Sequence, residues 1–131
     1  MPDTVLCSGK THNTSGPGGG TRSVDGSLNL KLPEPHPAAE NLFSAAWSAC
    51  YMAALKHVAA QKKIKLGGEL AVDAEIDLAR NEGGFFLRAR LKVSVPGVER
   101  EQAKALIEAA HGTCPYSKAV HGNIEVTTTV A

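Results

Sequence analysis

Aromatic residues are scarce in this chain, with three Phe, two Tyr and one Trp among 131 residues. No basic run alternates with them and the net charge is +1, so neither a nucleic-acid surface nor an anionic membrane is implied. Long apolar runs are missing too, and none reaches the roughly 18 residues that a membrane span needs. The first residues, MPDTVLCSGK, lack a charged start followed by an apolar core and do not read as a secretory signal. Together these absences predict a soluble, cytoplasmic protein. Cysteine is sparse and odd in number, at three. That argues against a disulfide scaffold and, in a reducing compartment, favours catalytic over structural use. Structural zinc has little support without a CxxC or a close Cys/His cluster.

What is present is ordinary globular usage, 43% apolar and 21% charged, and the length fits one domain spanning residues 1–131. Residues 8–26, SGKTHNTSGPGGGTRSVDG, are rich in Gly, Ser and Thr and read as a mobile loop. Within them Asp25-Gly26 is a hairpin-type turn signal. Leu28, Leu30 and Leu32 alternate with polar residues, predicting a strand over 27–32 with one buried face. PEPHP at 33–37 ends it, because proline cannot continue a ladder.

A long helix is predicted over 38–62, Ala-rich, without Gly or Pro, and followed by cations at Lys62 and Lys63. One stripe runs through Phe43, Trp47, Cys50, Ala54 and His57. Leu42, Ala46, Ala49 and Ala53 make a second apolar face, so the helix is expected to be central and buried on two sides. Residues 69–95 alternate strictly on either side of Asn81-Glu82-Gly83-Gly84 and predict a long antiparallel hairpin with one wet face. Its inner set is Leu70, Val72, Ala74, Ile76 and Leu78, then Phe85, Leu87, Ala89, Leu91, Val93 and Val95. Acids in the first strand and bases in the second are placed to pair. Residues 98–111 predict a helix with Ala103, Leu106, Ile107 and Ala110 inward and Gly112 as its stop. A short helix through Tyr116–Ala119 follows Pro115, and a last strand places Ile124, Val126, Thr128 and Val130 on one face. The order β, α, ββ, α, β is α+β.

Cys50 and Cys114 stand in unlike settings, 64 residues apart. Cys50 is mid-helix among apolar residues, where burial raises a thiol's pKa; read by spacing alone it is an inert core cysteine, and as a nucleophile it needs a nearby cation. Cys114 sits at a predicted helix start, where backbone N–H groups favour a thiolate, or else is simply a small cap before proline. Glu40, ten residues before Cys50, complements the helix dipole or orients a cation. Arg22 and Lys10 are the basic residues of the Gly-rich segment and read as solvated unless that segment folds over the helix. His111 and His121 flank the CPYS segment as residues at element ends. His57 is a packed or surface histidine rather than a zinc ligand beside the two thiols. Phe43, Trp47, Tyr51 and Met52 are core, or an apolar wall if Cys50 is reactive. Cys7 has no motif around it.

Two segments are recognisable as they stand. ENLFSAAWSACYMAAL, residues 40–55, resembles the first-cysteine helix of the OsmC/Ohr superfamily, and HGTCPYSKAVHGNIEV, residues 111–126, resembles its second-cysteine motif. SVDGSLNLKL is similar to the family's N-terminal strand and PGVEREQAKALIEAAH to the helix before the second cysteine. The likeness covers nearly the whole chain, and is greatest to the organic hydroperoxide resistance (Ohr) proteins. It implies an OsmC-like fold, antiparallel sheets around a long central helix, in an intertwined homodimer to which residues 1–37 contribute. It implies a two-cysteine thiol peroxidase that reduces organic hydroperoxides, fatty acid hydroperoxides included, in oxidative stress defence. Carried over, Cys50 is the peroxidatic thiol, Cys114 the resolving thiol and Glu40 the carboxylate holding a catalytic arginine. The implied reductant is an external lipoyl-type dithiol, with no bound cofactor or metal.

One departure stands out. The family's arginine lies in a loop like THTTGGRDG, whereas this chain has THNTSGPGG with Pro17 at the arginine position. Arg22, five residues on, is the nearest arginine and is taken as the activator, with Lys10 as the other cation. The alternative is an OsmC-like apolar-ligand-binding or general thiol-redox protein whose peroxidase activity is weak because the arginine is displaced.

Overall fold

A computed structural model of the chain describes residues 2–32 and 39–131. It forms two compact units, Met1–Ala39 and Glu40–Ala131. The PEPHP strand stop and the first residue of the predicted helix lie outside the described residues.

The first unit is an antiparallel sheet of β1 (Thr11–Thr14), β2 (Gly20–Ser23) and β3 (Asn29–Lys31), in that spatial order. This corrects the reading of 8–26 as a mobile loop. The threonines favour strand, and the glycines answer a packing need rather than a need for freedom. A Cβ on Gly19 would lie 2.6 Å from the Thr14 carbonyl oxygen, and one on Gly20 2.8 Å from that of Leu30. Asp25-Gly26 turns the chain between β2 and β3 as predicted, with Gly26 at φ +77°. The Asp25 carboxylate accepts from the Ser23 hydroxyl and from the Ser27 N–H and hydroxyl, and these bonds hold its pKa down to about 2. Leu28 and Leu30, expected on a buried face, are 38% and 42% exposed; among the described residues of this unit no helix or second sheet packs over its one sheet.

The second unit is built on α1 (Ala39–Gln61) and a sheet of β4 (Ala71–Asn81), β5 (Gly84–Ser94) and β6 (Glu125–Val130). One face of α1 is buried, through Trp47, Ser48, Tyr51, Ala54, Leu55, Val58 and Ala59. The second apolar face is not: Leu42 is half-buried and Ala46, Ala49 and Ala53 are exposed. The helix ends in a Schellman turn, in which the Ile64 N–H donates to the Ala59 carbonyl and the Lys63 N–H to that of Ala60. Lys63 fills the left-handed position at φ 56°, where glycine is the usual occupant. Gly67 and Gly97 then meet back to back; a Cβ on Gly97 would lie 2.6 Å from the Gly67 Cα. This close approach lets the segment after α1 cross the end of β5, with the Gly67 N–H donating to the Pro96 carbonyl.

β4 and β5 form the predicted antiparallel hairpin, in register from Ala71 opposite Ser94 to Asn81 opposite Gly84. The charge pairing is as read. Arg90 grips Asp77 at 2.7 and 2.8 Å and reaches Glu75 at 3.3 Å, and Arg88 lies 3.5 Å from Asp77. These pairs are exposed, so they help fix register more than they stabilise. Inner-face burial is complete only towards the root, in Ala89, Leu91, Val93 and Val95; Leu78 and Phe85, expected inside, are 46% and 73% exposed. An 11-residue strand is about 35 Å long, and the helices pack against its root rather than its tip.

The third strand departs from the expected all-antiparallel arrangement. β6 pairs with β5 in parallel, Arg88 opposite Glu125 through Val93 opposite Val130. A parallel neighbour requires a crossover, and α2 (Arg100–Thr113) and α3 (Pro115–Val120) supply it. α2 buries Ala103, Leu106, Ile107 and Ala110 as predicted and starts at Glu99, whose carboxylate accepts from the Gln102 N–H. Its stop is not Gly112, which lies inside the last turn. Cys114 ends it, at φ −66° and ψ 118°, because the residue before a proline is excluded from the helical region.

Candidate active site

Cys50 projects from the middle of α1 and Cys114 occupies the junction of α2 and α3. The hydrophobic core brings them together. Trp47, Tyr51, Ala54 and Leu55 of α1 share one apolar cluster with Leu106, Ile107 and Ala110 of α2 and with Cys114 itself. Cys114 is fully buried and Cys50 partly so. The Cys114 thiol donates to Cys50 Sγ at 3.0 Å, about 1 Å beyond the length of a disulfide bond. Both are free thiols.

Burial is the first cause that pushes the Cys50 pKa above its ordinary value. The adjacent Cys114 raises it further, chiefly through the hydrogen bond between the two thiols and less through its charge. The Tyr116 backbone N–H at Cys50 Sγ acts the other way and favours the thiolate. On balance these influences raise the Cys50 pKa, so a nearby cation would be needed to favour its thiolate.

The other predicted residues fall as follows. Glu40 is in the first turn of α1, half-buried. Ten residues of helix separate its backbone from that of Cys50 by about 15 Å, and among the described residues it carries no ion pair. Arg22 lies in β2, between His12 and Asn29 on the neighbouring strands, with its side chain exposed. Lys10 precedes β1 and is exposed, and Pro17 is at the β1–β2 turn. His57 is exposed on α1. Among the described residues no three His, Cys, Asp or Glu side chains are grouped to hold a metal, and no helix is long and apolar enough to cross a membrane. Tyr51 is core rather than pocket wall, at 0% exposed, and Trp47 is core at 1% while also reaching the lining of a groove; Phe43 packs edge-on to Trp47, with centroids 5.9 Å apart.

Sequence reading missed a polar group beside the thiols. The Trp47 indole N–H donates to Ser117 Oγ at 2.9 Å. His111 Nδ1 lies 3.2 Å from the same oxygen, and Nε2 lies 2.9 Å from Thr128 Oγ1. The available signal was the polar Ser117 in a segment flanked by two histidines. A groove of about 770 Å³ opens beside this group, lined by Trp47, His111, Ser117, Val120, Ile124 and Val126 among others.

Comparison with known proteins agrees with this architecture. The OsmC-like protein family model matches residues 32–129. The organic hydroperoxide resistance protein of Xanthomonas axonopodis pv. citri (strain 306) is 37% identical over 139 aligned positions, covering 99% of this chain and 98% of the relative. OhrB of Bacillus subtilis (strain 168), an organic hydroperoxide resistance protein, is 33% identical over 93% of this chain and 96% of its own length. The crystal structure of an organic hydroperoxide resistance protein from Elizabethkingia anophelis superposes with a TM-score of 0.88 at 38% identity, covering 98% of this chain and 99% of the other. The chain belongs to the OsmC-like family and, within it, to the organic hydroperoxide resistance proteins.

Proposed function

We propose that the chain is a two-cysteine thiol peroxidase that reduces organic hydroperoxides to alcohols. The observation that carries this reading is the approach of Cys114 Sγ to Cys50 Sγ at 3.0 Å. The Cys50 thiolate attacks the terminal peroxide oxygen. The O–O bond breaks, the alkoxide takes a proton and leaves as alcohol, and Cys50 becomes a sulfenic acid. The Cys114 sulfur then attacks Cys50 Sγ; the S–S bond forms, the S–O bond breaks, and hydroxide leaves as water with the thiol proton. Resolution protects Cys50 from further oxidation. An external dithiol, of the lipoyl type in this reading, reduces the disulfide by exchange.

Activation of Cys50 is assigned to a cation held by Glu40, with Arg22 preferred and Lys10 second. The raised pKa of Cys50 supports the need for one. The assembly in this reading is a homodimer. Apolar surface that a second copy would bury supports it, at Leu28 just before β3, at Leu30 within it, and at Ala46, Ala49 and Ala53 of α1. The working compartment is the cytoplasm, where thiols are kept reduced.

A second reading is favoured by one observation. Pro17 at the β1–β2 turn, with the Cys50 pKa raised, fits an apolar-ligand-binding or general thiol-redox protein with weak peroxidase activity. Steady-state consumption of an alkyl hydroperoxide with dihydrolipoamide as reductant separates the two. The proposal expects turnover, faster on the alkyl substrate than on hydrogen peroxide. Absence of turnover sinks it, and equal rates remove the organic preference.

A further inference from the structure

Four side chains from four elements form one hydrogen-bonded chain beside the thiols, from Trp47 of α1 through Ser117 of α3 and His111 of α2 to Thr128 of β6. The direction of its first bond follows from chemistry. An indole nitrogen only donates, so Ser117 Oγ accepts from Trp47; the direction of the two His111 bonds depends on the tautomer of the ring. Among the described residues no buried side-chain N or O atom lacks a partner, so the chain is complete. Tyr51 flanks it, its ring 4.7 Å from that of His111 and its hydroxyl donating to the Ile107 carbonyl at 2.8 Å.

The spacing of this chain matches that of the thiols. Cys50 is three residues after Trp47 on α1, and Cys114 three residues before Ser117 at the head of α3. Residues three apart share a helix face. The Trp47–Ser117 bond and the Cys50–Cys114 contact are therefore two neighbouring rungs between the same two elements. α3 has only six residues, too short to hold its own orientation, so its rotation depends on such rungs.

We infer that Ser117 and His111 are positioning residues for Cys114: bonded between Trp47 and Thr128, they clamp the first turn of α3 so that Cys114 Sγ stays aimed at Cys50 Sγ. The inference rests on the proposed pairing of the two cysteines as a redox couple. It concerns the second step only, attack on an oxidised Cys50, because the clamp fixes the attacking sulfur and touches neither Cys50 nor its oxidant. A misplacement of about 1 Å costs on the order of a hundredfold in an intramolecular step.

The test uses diamide, an azo thiol oxidant that needs no peroxidase activity, on the full chain carrying Cys7→Ser. The Cys50 sulfur adds across the N=N bond, forming S–N and N–H; Cys114 then forms the disulfide and expels the hydrazine. Adduct and disulfide are timed separately by quenching and mass spectrometry. Ser117→Ala is expected to slow disulfide formation tenfold or more with adduct formation unchanged, and Ser117→Thr, which keeps the hydroxyl, to recover most of the rate. An unchanged second step, equal slowing of both steps, or no recovery overturns the inference. Should Ser117→Ala fail to fold, Thr128→Val reads the far end of the clamp, and an unchanged second step there overturns it equally. A chain that forms the diamide disulfide but leaves alkyl hydroperoxide untouched defeats the proposed peroxidase while leaving the clamp tested.

Discussion

Tyr51 follows Cys50 and ties the helix that carries it to α2, so replacing it measures how firmly the site is held. The side chain is fully buried, its hydroxyl donates to the Ile107 carbonyl at 2.8 Å, and its ring packs at a tilt on His111. Burial first, and Cys114 second, push the hydroxyl pKa well above its ordinary value, so it is a donor at any working pH. Tyr51→Phe removes that one donor. Ile107 lies inside α2, where its carbonyl also accepts from the N–H four residues on, so no buried acceptor is orphaned. The expected loss is therefore one neutral hydrogen bond, about 1 kcal/mol. Tyr51→Ala removes the ring as well and leaves a cavity between α1, α2 and His111, at about 4 kcal/mol. Urea unfolding of both variants, with unchanged m-values, gives the two figures. A Phe variant as damaged as the Ala variant would refute the reasoning, since the ring would then contribute nothing. A Phe variant equal to the parent would mean that the hydroxyl bond is not made.

Three further outcomes are expected. Lys63→Gly relieves the left-handed residue at the end of α1 and raises stability by about 0.5 kcal/mol, the net of removed strain and added chain entropy; a loss in urea unfolding contradicts the turn assignment. Burial holds the His111 pKa below its ordinary value of 6.5, so the unfolded chain takes up the proton first as pH falls. Its contribution is whole above pH 6.5 and is lost progressively towards the lower folded value; the stability of His111→Gln should fall less steeply across that window, and a parallel profile refutes it. Arg22→Ala is expected to raise the apparent Cys50 pKa, read by the pH dependence of alkylation, and to slow peroxide consumption; an unchanged pKa makes Arg22 a bystander and moves the test to Lys10.

The sequence was most legible where a period was long. Alternation over 69–95 located the hairpin and its charge pairs, and the 3.6-residue pattern located α1 and the four inward residues of α2. It failed where the decisive contact was non-local. Gly19 and Gly20 read as loop formers, but they are small because Thr14 and Leu30 backbones press on them. Gly112 read as a helix stop, but Pro115 acts one residue earlier by excluding Cys114 from the helix. Alternation placed Phe85 inside without knowing how far along β5 the helices reach. Composition alone read Cys50 as inert, and only the motifs around both thiols suggested their meeting. The clamp through Ser117, His111 and Thr128 was invisible because its members come from three elements whose packing no local pattern encodes.

The central claim is that Cys50 and Cys114 act on one peroxide molecule in sequence. Treating the reduced chain with one equivalent of an alkyl hydroperoxide, then mapping its peptides by mass spectrometry, tests it most directly. The account predicts one alcohol per chain, a Cys50–Cys114 disulfide, Cys7 still reduced, and a trapped Cys50 sulfenic acid when Cys114 is replaced by Ser. Oxidation confined to Cys7, or peroxide left unconsumed with both Cys50 and Cys114 reduced, would contradict it.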